Sequence, residues 1–308
     1  PAAWRDYLLQ TWPPSDAWLK VPYPDQATVR AAIAAHMPEL LPEYDALTGV
    51  LSDLPASHFL LGMYNLPPFW SGCSQTVSHS RGHATLLRNY DLDINGFAGV
   101  FLHEPTPDGG WMIGAAEAGW GFLDGLNHHG LAVSITFGGR FVVGDGFVVP
   151  IVVRYLLQTC RTTAEAVAVL KRLPARVPQN YLVLDRTGAS AVVYTAPDRP
   201  AVAEEGAFCC TNHQQQVSEP GHAAFTRTVE RYDHLVARNG ELTAADFFQP
   251  PLYNRRYQEW FGTLYTAEYD PHALTARYCW PGAPELHVAA DSPEVTVSVT
   301  LNEEEPGA

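Results

Sequence analysis

The pattern of apolar and polar positions divides the chain into a helical first part and a strand-rich remainder. Up to about residue 70, apolar residues recur at the spacing of one helix face, with interruptions at Pro38 and Pro42. From Cys73 onward, short apolar runs between turn signals predict β-strands. These runs are TVSHS, ATLLRNYDL, AGVFLHE, GWMIGAAEA, GWGFLDGLN, GLAVSITF, FVVPIVV, NYLVLD, ASAVVYTA, FGTLYTAEYD, LTARYCW and PEVTVSVTL.

Helical patterns separate these groups of strands. The first two form a pair, VVRYLLQTC and TTAEAVAVLKRLP, and the second of them has a predicted N-cap at Thr162 or Thr163. A later helical stretch, HAAFTRTVERYDHLVARNG, ends at Gly240, a residue typical of helix C-termini. The order of strands, helices, strands, helix and strands predicts a two-sheet core with helices outside it.

A β-hairpin is predicted for residues 71–93, which read SGCSQTVSHSRGHATLLRNYDLD. A two-residue turn at Arg81-Gly82 would place Cys73 opposite Tyr90, with Arg88 one diagonal step from the thiol. A cation at that position favours thiolate over thiol, which is the usual route to a nucleophilic cysteine. The alternative interpretation is a buried structural cysteine, because free cysteine is among the most buried residue types.

Asp91 is the second charged residue of the return strand. In a regular strand it faces away from Arg88, because successive side chains alternate between the two faces of a sheet. Both residues could reach Cys73 only if the strand bulged or ended near residues 89–91, and we predict that it does. Alternatively, Arg88 and Asp91 form a local ion pair that braces the end of the strand.

A cysteine nucleophile needs a base, and the sequence offers two kinds. His79, His128 and His129 are candidate imidazoles, although histidines in such turn segments are more often surface residues. The other candidate arises if the Gly72–Cys73 bond is cut, because the freed α-amino group has a pKa near neutrality. Gly72 has no Cβ, which leaves room for the thiol to attack the carbonyl that precedes it.

The composition of the chain limits the binding partners and the cellular compartment that we expect for the protein. Hydrophobic residues make up 46% of the chain and charged residues 17%, which is typical of a globular protein. The net charge of −14 argues against nucleic acid or an anionic membrane as a partner. The five cysteines show neither a disulfide framework nor a CxxC zinc pair, and no secretory signal is visible, so we expect a cytoplasmic protein without metal or cofactor.

Several segments follow the Gly72-Cys73 pair in a characteristic order: RNYD, DGLNHHGLAVSITF, NYLVLDRTG and CCTNHQ. The ordered set resembles the N-terminal-nucleophile amide hydrolases. The branch that it resembles most is the acyl-CoA:6-aminopenicillanic acid acyltransferase family, which is related to choloylglycine hydrolases and penicillin V acylases. The resemblance runs from about Cys73 to Pro284, roughly two-thirds of the chain.

The resemblance implies roles for individual residues. Cys73 would be the nucleophile and its freed amino group the base, with Arg88 beside the thiol and Asp91 bonded to the amine. Asn212 matches the asparagine that helps to form the oxyanion hole. Relatives often carry a further asparagine where this chain has Thr136, so that Thr136 or its backbone N–H would have to serve.

A later active-site arginine is less easily assigned by the resemblance. Arg227 fits the choloylglycine type of pattern, and we choose it, whereas Arg255 and Arg256 lie nearer the position expected in the acyltransferase branch. The adjacent aromatic residues Phe69 and Trp70 precede the expected cleavage point and are candidates for lining an acyl pocket.

The fold implied is α+β, a four-layer αββα sandwich of two antiparallel sheets. Residues 1–72 would be a helical pro-segment retained after autocleavage as a small subunit, and residues 73–308 the catalytic core. The activity implied is that of a self-processing amidohydrolase or acyltransferase, which acts on an N-acyl amide or acyl thioester through a thioester acyl-enzyme. Its partners would be that small molecule and its own pro-segment, and the formation of a homo-oligomer is left open.

Two other interpretations stay open at this point. The chain could be a Cys–His hydrolase that never cleaves itself, with His79, His128 or His129 as the base. It could also be a non-catalytic binding protein on the same fold. The acyl group accepted, and the choice between water and an amine as acceptor, do not follow from the sequence.

Overall fold

The computed structural model describes residues 22–54, 56–68 and 70–301. The predicted helical first part is confirmed within this range, whereas Phe69 and the first 21 residues of the expected pro-segment lie outside it. Among residues 22–68 of this part, the structure describes three α-helices: α1 (Gln26–His36), α2 (Leu41–Val50) and α3 (Ser57–Gly62). The first helix begins at Asp25, whose carboxylate accepts a 2.8 Å hydrogen bond from the Thr28 N–H as an N-cap.

The first of two sheets contains the predicted hairpin. Its strands are β1 (Gly72–Ser78), β2 (Thr85–Leu92), β10 (Cys209–Cys210), β11 (Arg255–Arg256), β12 (Phe261–Asp270), β13 (Thr275–Cys279) and β14 (Leu286–Val288). They are arranged in the order β10-β1-β2-β12-β13-β14, with β11 paired to β12, and every pairing is antiparallel.

The second sheet is a seven-stranded meander in chain order. Its strands are β3 (Phe101–Pro105), β4 (Trp111–Glu117), β5 (Gly121–Asn127), β6 (Ala132–Phe137), β7 (Gln179–Leu184), β8 (Ser190–Ala196) and β9 (Arg199–Glu205). The remaining helices are α4 (Val149–Thr159), α5 (Thr163–Arg172), α6 (Pro220–Thr226) and α7 (Thr228–Arg238). None of the helices in the described ranges is both long and apolar enough to span a bilayer.

The elements form the predicted four layers, and the αββα sandwich is confirmed. One buried cluster fills the space between the two sheets, with Cys73 and Tyr90 on one side and Leu123 on the other. A second cluster joins the outer face of the second sheet to α4, α5 and the N-terminal helices. On the outer face of the first sheet, α7 packs through Leu235 against Leu87. Both sheets are therefore covered on both faces.

The register of the hairpin is confirmed, but its turn is not the predicted one. Cys73 pairs with Tyr90 as expected. The strands end at Ser78 and Thr85, so the connection is longer than two residues, and within it the Gly82 N–H donates to the His79 carbonyl. Gly82 has a φ of +80°, which glycine adopts without the steric cost of a Cβ.

The predicted bulge or early end of β2 is wrong. This strand pairs regularly with β1 up to Asp91 and continues to Leu92. The irregularity lies instead in its other neighbour, β12, where the register shifts between Thr263 and Tyr265. Because β2 stays regular, Asp91 and Arg88 face opposite sides of the sheet.

Three other predicted elements differ from the structure. The run FVVPIVV is not a strand, because α4 begins at Val149, and a helix tolerates Pro150 in its first turn. The run PEVTVSVTL forms no strand within the described residues. The stretch that was predicted to be one helix divides into α6 and α7 at Arg227, which adopts a left-handed φ of 52°.

The N-terminal helices should be part of one cooperative core. Phe59 lies on α3, fully buried in the cluster that also contains α4 and the second sheet. We expect Phe59→Ala to lower the free energy of unfolding by about 3–5 kcal/mol, because it deletes a buried ring. The control Val236→Ala, at a residue 43% exposed, should change it by less than about 0.5 kcal/mol. Urea denaturation measures both, and equal effects would contradict a shared core.

Candidate active site

The β1–β2 hairpin brings a buried cation to a buried thiol. Arg88 Nη2 lies 3.4 Å from Cys73 Sγ, and both side chains are completely buried. The guanidinium is held from the second sheet, where its Nη1 donates to the Leu123 carbonyl at 2.9 Å and to the Asp124 carboxylate. It also lies over the Tyr90 ring, 4.8 Å from the centroid.

Asp124 is the carboxylate that compensates the positive charge of the buried Arg88 guanidinium. Besides Arg88, it accepts hydrogen bonds from the hydroxyls of Tyr265, at 2.7 Å, and Tyr269. Burial acts most strongly and lowers the pKa of Arg88, but the combined effect of Asp124, Tyr265 and Cys73 holds that pKa well above its ordinary value. Sequence reasoning did not single out Asp124; the only signal was its place as the aspartate of the DGLN segment.

The surroundings of Cys73 favour the protonated form of its thiol. Burial raises the pKa of Cys73 above its ordinary value, Arg88 opposes this effect, and Asp91 adds to it. The cation therefore only partly offsets the desolvation of a thiolate. Attack by this sulfur requires a group that accepts its proton.

The backbone on either side of Cys73 is held by Asn212. The Cys73 N–H donates to Asn212 Oδ1 at 2.9 Å, while Asn212 Nδ2 donates to the Ser71 carbonyl at 3.1 Å and the Phe137 carbonyl at 3.2 Å. One amide side chain thus spans the Gly72–Cys73 bond. Asn212 was among the predicted site residues, whereas Ser71, with Oγ 4.0 Å from Cys73 Sγ, was not.

The second arginine that contacts Cys73 is Arg231 rather than the expected Arg227. Arg231 is buried and donates through Nη1 to the Cys73 carbonyl at 2.8 Å and to the Asp91 carboxylate at 3.3 Å, and through Nη2 to Asn212 Oδ1 at 2.6 Å. Arg227 lies at the surface, paired with Glu230. The break between α6 and α7 explains the difference, because Arg227 is the left-handed residue at the break itself.

Arg255 and Arg256 lie near the buried pair of Asp91 and Arg231. Arg256 donates to the Phe225 carbonyl at 2.6 Å, and the guanidinium of Arg255 lies over the Tyr253 ring. Both line a cavity of about 350 Å³ whose lining also includes the buried residues Asp91 and Arg231.

Asp91 lies on the face of the sheet opposite the thiol. Its carboxylate accepts a hydrogen bond from Thr263 Oγ1 at 2.7 Å and pairs with Arg231. Burial raises the pKa of Asp91 to about 6, although Arg231 and Thr263 favour its charged form. Asp91 is linked to the Cys73 carbonyl through Arg231, which bonds to both, and the expected bond from Asp91 to a freed amine stays a prediction.

Thr136 and Trp70 take positions around Asn212. The Thr136 hydroxyl donates to the Thr211 carbonyl at 2.8 Å, so its proton is committed to fixing the segment that carries Asn212. Asn180 on the neighbouring strand donates to the same carbonyl at 2.8 Å, a role that sequence reasoning missed. The Trp70 ring packs against Phe137 and Phe141, with centroids 4.7 and 4.9 Å apart.

The histidines considered as bases lie elsewhere. His128 and His129 face Asp108 with nitrogen–oxygen distances of 3.4 and 3.3 Å, and His79 is tied by its backbone to Gly240. Asp108, His128 and His129 are also the one group in the described part of the chain whose ligand atoms, within 4.8 Å of one another, could hold a metal ion. That group shares no residue with the Cys73 site.

Gly72 is required by close packing. A Cβ on this residue would lie 2.1 Å from the Phe261 ring and 3.3 Å from Asp91 Cβ. A side chain there would therefore displace Phe261.

The sequence matches the model of a known family. The family is described as acyl-coenzyme A:6-aminopenicillanic acid acyl-transferase, and the match covers residues 78–284, about two-thirds of the chain. The chain belongs to this family. The matched region contains Arg88, Asp91, Asn212 and Arg231 and begins five residues after Cys73. No curated protein sequence matches the chain.

One solved structure, with a TM-score of 0.50, shares the αββα fold of this acyl-transferase family member. A mutant of the conjugated bile acid hydrolase from Clostridium perfringens superposes with a TM-score of 0.50 at 13% identity, over 74% of this chain and 97% of that one. Penicillin V acylase from Agrobacterium tumefaciens gives 0.48 at 16% identity, over 70% and 86%. The Caenorhabditis elegans ortholog of N-acylethanolamine-hydrolyzing acid amidase gives 0.44 at 14%, over 65% and 93%.

Replacement of Arg231 and replacement of Arg227 should have different effects on stability, because Arg231 lies in the site and Arg227 at the surface. Arg231→Met leaves Asp91 buried without its cation, and we expect the free energy of unfolding to fall by about 3–5 kcal/mol. Arg227→Met removes an exposed ion pair with Glu230, which contributes less than about 1 kcal/mol. Urea denaturation at pH 7 measures both variants. A loss in Arg227→Met equal to that in Arg231→Met would contradict the assignment.

Proposed function

We propose that this protein is a self-processing cysteine amidohydrolase or acyltransferase whose nucleophile is Cys73, exposed as an N-terminal residue by cleavage of the Gly72–Cys73 bond. The observation that carries the proposal is the arrangement of groups around that bond. Arg88 lies at the thiol, and Asn212 and Arg231 bond to the N–H and carbonyl of Cys73. A purely structural cysteine needs none of these contacts.

Processing would begin with attack of Cys73 Sγ on the Gly72 carbonyl carbon. The S–C bond forms, the C–N bond breaks, and the thiol proton ends on the nitrogen that becomes the α-amino group. Water then hydrolyses the thioester, which gives a carboxylate on Gly72 and returns the thiol. Gly72 has no Cβ that would crowd the attacked carbonyl, and the Phe261 ring packs directly against its backbone.

Cleavage would create both groups that the resting site lacks. The α-amino group of Cys73 can take the thiol proton, which an amide nitrogen cannot do. Departure of the Ser71 carbonyl would free Asn212 Nδ2 to donate to a developing oxyanion. Such a neutral donor typically contributes on the order of 100- to 1000-fold in rate. Asp91 would act as a positioning residue, through Arg231.

Substrate turnover would repeat the same chemistry on an N-acyl amide or an acyl thioester. The thiolate attacks the acyl carbonyl, the leaving amine or thiol takes the proton from the α-ammonium group, and a thioester acyl-enzyme remains. Water completes hydrolysis, and an amine completes transfer. Trp70 and the aromatic rings around it would line the entrance.

The first 72 residues would stay bound after cleavage as a small subunit. Within the described part of this segment, Val29, Ile33, Leu40 and Phe59 are completely buried against the rest of the protein. Dissociation of the segment would expose that apolar surface to water. The free-energy cost of this exposure is far larger than the free energy released by hydrolysis of one peptide bond.

Intact mass spectrometry tests the processing step. We expect the wild type to give two chains, residues 1–72 and 73–308 with Cys73 at the new N-terminus, that elute together in gel filtration. Cys73→Ala should give one chain with the full mass of 33.8 kDa. Cys160→Ala, a second buried cysteine, serves as a control and should be cleaved like the wild type.

A single full-length mass for both the wild type and Cys73→Ala would reject self-processing. In that case Cys73 could be tested with a thiol-reactive probe, which separates an unprocessed Cys–His hydrolase from a non-catalytic binding protein.

Acid quenching during turnover of an N-acyl amide tests the covalent intermediate. We expect the chain that begins at Cys73 to gain the mass of the acyl group, and hydroxylamine to remove it, because thioesters react with hydroxylamine. Turnover without a mass increase on this chain, in a burst experiment at saturating substrate, would contradict Cys73 as the nucleophile.

A further inference from the structure

Two turns at one end of the second sheet bring a carboxylate and two imidazoles together. Asp108 lies in the turn between β3 and β4, and His128 and His129 lie in the turn between β5 and β6. Because neighbouring strands of this sheet are antiparallel, the two turns lie at the same end of it. Asp108 and His129 are 21 residues apart in the sequence, so only the fold makes them neighbours.

The donor atoms of these three side chains have the separation that a tetrahedral metal ion requires. One carboxylate oxygen, Asp108 Oδ2, lies 3.4 Å from His128 Nε2 and 3.3 Å from His129 Nε2. Zinc binds histidine nitrogen and carboxylate oxygen at about 2.0–2.2 Å, and a tetrahedron with bonds of that length has edges of about 3.3–3.6 Å. Both measured separations fall in that range.

The surrounding contacts orient the donor atoms without occupying them. The other carboxylate oxygen, Asp108 Oδ1, accepts hydrogen bonds from Thr106 Oγ1 at 2.6 Å and from the Gly110 N–H at 3.3 Å, so the carboxylate is fixed with Oδ2 toward the histidines. His128 Nδ1 lies 3.3 Å from the Trp111 carbonyl oxygen. A proton on Nδ1 that is donated to this carbonyl leaves Nε2 unprotonated, which is the usual arrangement of a metal-bound histidine.

The turn that carries the two histidines is attached firmly to the core. Asn127 is completely buried, and its Nδ2 donates to two carbonyls at the end of α4, at 2.9 and 2.7 Å. Its Oδ1 accepts the His129 N–H at 3.1 Å. Gly110 leaves the space that the His128 ring fills, because a Cβ there would lie 2.1 Å from that ring. The donors are thus held in place before an ion binds, which reduces the entropy lost on binding.

An ion pair alone would not need both histidines. One imidazole is enough to donate to Asp108, whose side chain is also 39% exposed to water. Two protonated imidazoles would repel each other, because the ring centroids of His128 and His129 are 3.7 Å apart. A metal ion avoids this repulsion, since it binds both rings in their neutral form. Arg161 is a cation that acts on His129, but it is exposed, so water and salt screen its repulsion of a bound ion.

We propose that Asp108, His128 and His129 form a binding site for one Zn²⁺ ion per chain, which joins the β3–β4 and β5–β6 turns. Asp108 Oδ2 and the two Nε2 atoms supply three ligands, and water supplies the fourth, because the site is open to solvent. Two imidazoles in a tetrahedral set select zinc over magnesium and calcium, which take six or more ligands, mainly oxygens.

This site goes beyond the proposed function and does not depend on it. We expected no metal from the sequence because it contains no CxxC pair, whereas these donors come from two turns that only the fold brings together. No residue of the Cys73 site takes part.

Calorimetric titration of the metal-free protein, without an affinity tag, with zinc chloride measures the site. We expect one equivalent to bind to the wild type. Asp108→Asn and His129→Gln should each bind zinc at least about 100-fold more weakly, because even the loss of a group that only orients a ligand costs about 10- to 100-fold. The control His287→Gln removes an exposed histidine that is paired with Glu285 at 3.2 Å, and it should bind zinc as the wild type does.

Cobalt tests the geometry of the site, and the Cys73→Ala variant tests its location. Tetrahedral Co²⁺ absorbs visible light far more strongly than octahedral Co²⁺. We expect an intense visible band for the wild type that is absent from Asp108→Asn and that an equivalent of Zn²⁺ removes. Cys73→Ala should keep the band. Its loss in Cys73→Ala would place the metal at the thiol and overturn the proposal.

Thermal denaturation shows that the variants fold and that the ion stabilises the protein. Zinc should raise the melting temperature of the wild type but not of Asp108→Asn, because a ligand that binds only the folded state stabilises that state. In EDTA the two proteins should melt at similar temperatures. The absence of saturable zinc binding by the wild type would overturn the proposal. Binding that Asp108→Asn and His129→Gln leave unchanged would also overturn it, since it would mark an adventitious ion only.

Discussion

The buried ion pair between Arg88 and Asp124 is the interaction on which the rest of the site depends. Arg88 comes from the first sheet and Asp124 from the second, so the pair ties the two halves of the sandwich together at their shared core. Two tyrosine hydroxyls donate to Asp124, and the Leu123 carbonyl accepts a hydrogen bond from Arg88. Removal of one partner from such a pair costs several kcal/mol, because the other charge is left unpaired in an apolar surrounding. The pairing therefore holds the Arg88 guanidinium at a fixed position beside the Cys73 thiol.

A second polar system lies on the other face of the same strand. Arg231 and Asp91 form a buried pair there, and Arg231 also bonds to the Cys73 carbonyl and to Asn212. Strand β1 thus presents the sulfur of Cys73 to one charged network and its backbone to another. This division follows from the alternation of side chains along a strand. The chemistry of the side chain and the geometry of the peptide bond are controlled separately as a result.

Sequence reasoning could predict whatever depends on a local period. The hairpin register, and with it the contact of Arg88 with Cys73, followed from the two-residue repeat of a strand. Arg231 could not be found in this way. In one continuous helix Arg227 and Arg231 would share a face, and the break at Arg227 is what separates them. The bulge was assigned to β2 although β12 carries it, since a sequence can show that two strands are mismatched but not which one adjusts. Asp124 and Asn180 depend on pairings between distant segments, which no local pattern contains.

The same contacts explain why the Cys73 thiol of an intact chain would not turn over an external substrate. The nitrogen of Cys73 is an amide that donates its hydrogen to Asn212, so it has no lone pair available for a proton. Burial meanwhile keeps the sulfur protonated, and Arg88 offsets only part of that effect. A free amine at the same position would keep its hydrogen bond to Asn212 Oδ1 and gain basicity, with no movement of Arg88, Asn212 or Arg231. One broken peptide bond would then change the protonation chemistry of the site without a change of fold. This is possible because the charged groups around Cys73 are already in place before cleavage.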